Sequence, residues 1–197
     1  MSLRDFDVVV FAGGKGTRLA SAWDGPKCLA PVGGRPFVFY VLDQLVAAGA
    51  SRVILALAHR ADEVRRAMRE TYSAPVPIEI VFSQDDGEHG EAGALREALA
   101  TQITRDKLLT LNGDTYVVAS LATPANVFAC SRRASMCLDD PEGICSGAVF
   151  YRLDSPMVGV GPRGHELGYG FIDIGTPRGY RGAPCYLRSL GFEVAAP

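Results

Sequence analysis

Apolar residues arrive in short bursts separated by polar and glycine-rich stretches. Val8-Val9-Val10-Phe11 is four consecutive apolar residues, three of them β-branched, ended by Gly13-Gly14. A run of that length and composition, closed by glycine, predicts a buried strand. Phe37, Leu42, Leu45 and Val46 then recur with roughly helical spacing, and Gly49 stands where a helix C-terminus is capped. Val53 to Leu57 is a second strand. Ala61 to Arg69 is a charged helix whose Val64 and Met68 lie four apart on one face. Ile78 to Phe82 makes a third strand, Ala92 to Leu99 a helix, and Leu108 to Leu111 a fourth strand. Beyond Ala119 the pattern weakens to one strand at Ala148–Arg152, a glycine-rich stretch, a short strand at Phe171–Ile174 and partial helix within Pro177–Leu190.

Strands alternating with helices are the pattern of an α/β fold: a mostly parallel sheet with helices on both faces. Parallel strands end on one edge of the sheet, and ligands of such folds bind at that edge. The two most polar motifs, Gly13 to Arg18 and Asn112-Gly113-Asp114, both directly follow strands. The segment from Ala12 to Pro36 reads as one long functional loop.

Composition narrows the function classes. With 20 Lys+Arg against 22 Asp+Glu the net charge is -2. No basic surface is implied, and nucleic acid is not an expected partner. The apolar runs are too short to cross a bilayer and no signal-peptide pattern is visible, so a cytoplasmic protein without a membrane partner is expected. Five cysteines without a CxxC pair argue against a disulfide framework or a zinc ribbon. At 197 residues the chain is expected to be a single domain. Homo-oligomerisation is left open by the sequence.

The sharpest local signal is Ala12-Gly13-Gly14-Lys15-Gly16-Thr17-Arg18-Leu19. Glycines let consecutive backbone N–H groups approach an anion, and Lys15 and Arg18 add positive charge, Arg as a bidentate fork. The loop is neither a Walker A loop nor the dinucleotide fingerprint. Pro26-Lys27-Cys28-Leu29-Ala30-Pro31 places a lysine between prolines that stiffen its backbone. Asp114 ends a strand, and Asp173 lies between Ile172 and Ile174 in an apolar run, an unusual setting for an unpaired carboxylate. Two carboxylates with substrate phosphates are a common way to hold Mg²⁺. His59 and His89 read as surface residues, and His165, beside Glu166, as a candidate substrate contact.

Taken in order, these motifs resemble the sugar nucleotidyltransferases. The resemblance also uses Gly33-Gly34-Arg35-Pro36, Gly90-Glu91-Ala92-Gly93-Ala94 and Phe171-Ile172-Asp173-Ile174-Gly175-Thr176-Pro177. It is nearest to bacterial heptose 1-phosphate guanylyltransferases. It implies a Rossmann-like, nucleotide-diphospho-sugar transferase fold, with residues 1–118 as the nucleotide half and 119–197 as the sugar-phosphate half and second metal-ligand strand. Ala12, Gly13, Gly14, Lys15, Gly16, Thr17 and Gly93 would bind the nucleotide. Arg18, Lys27 and Asp114 would be catalytic, and Asp114 and Asp173 would hold Mg²⁺. The substrates implied are an NTP, GTP first, and a sugar 1-phosphate, heptose first; the products are an NDP-sugar and pyrophosphate. The alternatives are uridylyl or thymidylyl transfer to a hexose 1-phosphate, and a non-catalytic nucleotide-sugar sensor.

The chain departs from the family in one interval. Asp114 and Asp173 are 59 positions apart, which is short for the family. The expected Glu-Lys pair is missing there, and Cys145-Ser146-Gly147 stands where an Asn-x-Gly segment is expected. The sugar-phosphate half is therefore expected to be shortened.

Overall fold

The computed structural model describes residues 2–117, 149–152 and 171–195. Its main sheet has five strands: β1 (Phe6–Phe11), β4 (Arg52–Leu57), β5 (Glu79–Gln84), β6 (Lys107–Asn112) and β8 (Val149–Arg152), in the order β5-β4-β1-β6-β8. The first four run parallel, and β8 pairs antiparallel with β6 at the edge. Among the described residues, two small antiparallel pairs complete the strands: β2 (Pro31–Val32) with β3 (Arg35–Pro36), and β7 (Thr115–Val117) with β9 (Phe171–Asp173).

The continuous apolar run of β1 is explained by burial on both faces. Val8 and Val10 join one core with Val53, Leu55, Leu109 and Leu111, while Val9 joins a second with Ile54, Ala56 and Leu108. Side chains alternate across a strand, so each core lies on its own face of the sheet. Helices α1 (Phe37–Ala47), α2 (Ala61–Glu70) and α4 (Pro177–Ser189) contribute to the first core, and α3 (Gly90–Thr101) covers the second.

The chain steps outward from β1 through α1 to β4 and through α2 to β5. It then returns through α3 to β6 on the other side of β1. That reversal makes the C-terminal ends of β1 and β6 the switch point of the sheet, where α/β proteins form a crevice.

Several expectations are refined. Gly49 does follow α1, with φ 87°. The N–H of Ala50 donates to Leu45 O at 2.9 Å, a C-terminal cap that an L side chain would strain. Residues 12–36 are more structured than a single long loop: they hold 3₁₀ turns at Thr17–Leu19 and Lys27–Leu29 and the β2–β3 hairpin. The C-terminal segment is a full helix rather than a partial one. Its N-cap Thr176 accepts a hydrogen bond from Gly179 N at 3.2 Å, and Pro177 opens it. Strand β7 was not expected; three residues carry no usable periodicity. Cys145-Ser146-Gly147, His165 and most of the 119–170 interval lie outside the described residues.

The opposite edge of the sheet is tied by a buried charge. Asp7 is fully buried in β1 and accepts hydrogen bonds from Arg52 Nη1 at 3.0 Å, Thr104 N at 2.6 Å and Arg105 N at 3.0 Å. Arg52 also pairs with Glu79 at 3.1 Å, so one network spans β1, β4, β5 and the turn before β6.

Candidate active site

The ends of β1, β4 and β6 are stitched together by backbone hydrogen bonds. Ala12 N donates to Ala56 O at 2.8 Å, His59 N to Gly13 O at 3.2 Å, and Gly113 N to Phe11 O at 2.9 Å. This stitching demands glycine at position 13, where a Cβ would lie 2.6 Å from the backbone nitrogen of Ala58. The chain then turns at Gly16 (φ 67°) into the Thr17–Leu19 turn. Leu19 is buried and anchors the turn in the core, while Lys15, Thr17 and Arg18 stay exposed.

Lys27 and Cys28 occupy one 3₁₀ turn and point to opposite environments. Cys28 is buried, with its thiol 3.9 Å from Ala12 O. Burial pushes that thiol up to about 12; the negative charge of Asp114 adds to the rise, and Lys27 opposes it. Lys27 is partly exposed and forms an ion pair with Asp114.

Asp114 and Asp173 meet because β7 pairs with β9. Thr115 is opposite Asp173, and Ile174 N donates to Asp114 O at 3.0 Å. The β carbon of a side chain at Gly175 would lie 2.7 Å from Asp173 Oδ1, 3.0 Å from Asp114 Oδ2 and 3.2 Å from Lys27 Nζ. Both carboxylates and the ammonium therefore converge on one point. Asp173 Oδ1 also accepts from Gly175 N. Burial, then the charge of Asp114, raises the Asp173 carboxyl above the usual carboxylate range; the Gly175 N–H, Lys27 and Arg18 pull the other way. A buried carboxylate, Asp114, and a half-buried one, Asp173, thus converge on one point and repel each other, and Lys27 offsets part of that repulsion.

These groups line a cavity of about 720 Å³. Of the residues expected at the site, Gly13, Gly14, Lys15, Arg18, Lys27, Asp114 and Asp173 are on its wall. Ala12, Gly16, Thr17 and Gly93 are not. Ala12 is buried behind the loop, and Gly93 packs inside the start of α3, where a Cβ would meet His89 Cβ at 2.7 Å. The wall also includes His59, read from the sequence as a surface residue. It is exposed, and its own backbone is what binds Gly13.

The acidic stretch Asp85, Asp86 and Glu88, together with Glu91, was missed as site chemistry. The signal was available, since this stretch follows the end of β5 on the same sheet edge. Glu91 feels the site directly: burial raises its carboxyl, Asp114 raises it further, and Lys27 lowers it. Among the described residues no group of three or more His, Cys, Asp or Glu could hold a metal ion, and no helix is long and apolar enough to cross a membrane.

Residues 8–142 match the model of the MobA-like NTP transferase domain. The chain is 33% identical over 141 residues to the bifunctional protein GlmU of Methylibium petroleiphilum, covering 70% of this chain and 30% of that protein. It is 30% identical over 109 residues to the D-glycero-alpha-D-manno-heptose 1-phosphate guanylyltransferase of Campylobacter jejuni, covering 55% of this chain and 47% of the relative. The chain thus spans less than half the length of these curated relatives. Among solved structures it superposes on HddC from Yersinia pseudotuberculosis with a TM-score of 0.68 and 26% identity, over 92% of this chain and 99% of that one. A Bacillus anthracis structure titled as a glucose-1-phosphate thymidylyltransferase gives a TM-score of 0.70 at 17% identity, over 95% of this chain and 97% of that one, a likeness of fold alone. The match over residues 8–142, which include Gly13, Lys27 and Asp114, shows that the chain belongs to the MobA-like NTP transferase domain family.

Proposed function

We propose that the protein transfers a nucleotidyl group from an NTP to a sugar 1-phosphate, releasing pyrophosphate. The observation that carries this reading is the convergence of Lys27, Asp114 and Asp173 on one point beside the Gly13–Arg18 loop. The nucleophile, a sugar-phosphate oxygen, is already anionic. The enzyme therefore needs to neutralise two approaching anions and align them rather than remove a proton. The backbone of Gly13 and Gly14 and the side chains of Lys15 and Arg18 hold the triphosphate. Lys27 bridges the reacting phosphates.

Asp114 and Asp173 fit a divalent cation. They are hard oxygen donors, they repel each other, and Mg²⁺ is commonly held by one or two carboxylates with phosphate oxygens filling the remaining positions. A bound Mg²⁺ would supply charge neutralisation at the phosphate oxygens.

GTP and a heptose 1-phosphate are the substrates this reading favours. Support comes from the Campylobacter relative and from HddC, which has been crystallised with GMP-PN and is 25% identical in that structure. A second reading is uridylyl or thymidylyl transfer to a hexose 1-phosphate; it is kept because the longer alignment, over 70% of this chain against 55%, is to a protein of another name, GlmU.

The test is pyrophosphate release from a panel of NTP and sugar 1-phosphate pairs with Mg²⁺. Release with GTP and heptose 1-phosphate, abolished by Asp114→Asn and by Asp173→Asn, is expected. Nucleotide binding without release from any pair would instead identify a non-catalytic sensor.

A further inference from the structure

Trp23, the protein's one tryptophan, is not among the residues lining the cavity, yet it is built into the segment that joins the two phosphate-facing cations, Arg18 and Lys27. Leu19 O accepts hydrogen bonds from Ala22 N at 2.8 Å and Trp23 N at 3.0 Å, which folds the segment back on itself. The indole Nε1 then donates to Pro26 O at 3.1 Å. That carbonyl also accepts from Leu29 N at 2.9 Å, the bond that closes the turn carrying Lys27. The indole lies against Gly25 so closely that a Cβ there would be 2.6 Å from Cε2 and Cζ2. A side chain at position 25 and the ring cannot both occupy that space. Across the segment, a Cβ on Gly16 would be 3.4 Å from Lys27 Cβ, so the two ends of the phosphate-binding loop nearly touch.

We infer that Trp23 is a positioning residue for Lys27. Its indole N–H holds the Pro26 carbonyl at the start of the Lys27 turn and so keeps the ammonium on Asp114, facing the cavity. Flanking prolines alone leave the direction of that turn undetermined; a second donor on one carbonyl fixes it. Gly25 is the complementary half of the device, because only glycine admits the ring. Trp23 touches no reacting atom, so its effect passes through Lys27. The catalytic meaning of this clasp rests on the function proposed above, but its geometry does not.

The test reads Lys27 itself. The rate of Lys27 acetylation by acetic anhydride, followed by peptide mass spectrometry with Lys15 and Lys107 as internal references, reports how firmly the ammonium is held on Asp114. Trp23→Phe keeps the aromatic ring and loses the donor. It should raise the Lys27 rate about two- to tenfold, the range of one net hydrogen bond, and leave Lys15 and Lys107 unchanged. Gly25→Ala, which displaces the ring instead, should raise it similarly. Circular dichroism should show native helix content in both variants. A parallel rise at all three lysines would mark a general loss of structure, and unchanged Lys27 reactivity in both variants would show that the indole does not hold the turn; either result overturns the inference. None of these readings requires turnover. Failure of the pyrophosphate assay would therefore count against the proposed function and not against the clasp.

Discussion

Replacing Asp7 by Asn removes one charge while preserving shape, and the structure fixes what that should cost. The carboxylate is fully buried, with Oδ1 accepting from Arg52 and Oδ2 accepting from the N–H groups of Thr104 and Arg105. An asparagine has one acceptor oxygen. If it serves the two backbone donors, its own NH₂ confronts the Arg52 guanidinium; if it serves Arg52, two half-buried backbone N–H groups face another donor. Breaking a buried charge pair from one side costs about 3–5 kcal/mol. Arg52 keeps partial compensation from Gln102 O at 2.8 Å and Glu79 at 3.1 Å, so the lower end, about 3 kcal/mol, is expected. For a domain of this size that corresponds to a Tm lower by about 6–12 °C. Urea unfolding followed by circular dichroism measures it. Asp7 stands near the start of β1, on the order of 20 Å along the strand from the Gly13–Arg18 loop. Nucleotide affinity of the folded variant should therefore match the parent. A loss below about 1 kcal/mol, or a changed nucleotide affinity at full folding, would refute the reasoning.

The remaining predictions concern the site and its supports. Gly13→Ala places a Cβ 2.6 Å from Ala58 N, where only backbone can yield. Isothermal titration should find nucleotide affinity reduced at least about tenfold, because the loop must separate from the end of β4. Thr176→Ala removes the N-cap of α4 and should cost about 1 kcal/mol in urea unfolding. Cys28 and Cys185 should separate cleanly under iodoacetamide at pH 8, read by peptide mass spectrometry. Cys185 is exposed and should be alkylated, whereas Cys28, buried and raised to about 12, should stay unmodified until the protein unfolds.

The fold was legible where local rules act alone. Runs of consecutive apolar residues marked β1, β4 and β6, and alternation of strands with helices pointed to the sheet type. What stayed hidden depends on pairing between distant segments. Thr115–Val117 is too short to show a period, and its partner at Phe171–Asp173 lies far along the chain, yet that pair is what brings the two aspartates together. Each aspartate carried its own local signal: one followed a strand, and the other sat among isoleucines. The distance between them existed only in the fold.

Electrostatics escaped the sequence for the same reason. A net charge of -2 says nothing of a cavity where Lys15, Arg18 and Lys27 face Asp85, Asp86, Glu88, Glu91, Asp114 and Asp173. Among the described residues its wall carries twice as many acids as bases, and such a cavity would repel a bare triphosphate over much of its surface, so the positions of Lys15, Arg18 and Lys27 decide what it can bind. Lys15 and Arg18 stay exposed on the loop, where they can meet phosphate before it is desolvated. Lys27 alone is held among the carboxylates, paired with Asp114. An incoming phosphate must compete with Asp114 for that lysine, and it wins only if Asp114 gains another positive partner. Cation binding at Asp114 and Asp173 and phosphate binding at Lys27 should therefore be mutually reinforcing, as linkage between two ligands requires. Nucleotide affinity measured against increasing Mg²⁺ should rise in the parent protein. In Lys27→Met the same titration should be markedly flatter, because the competition that couples the two is gone; equal slopes in the two proteins would show that Lys27 is released to phosphate independently of the cation.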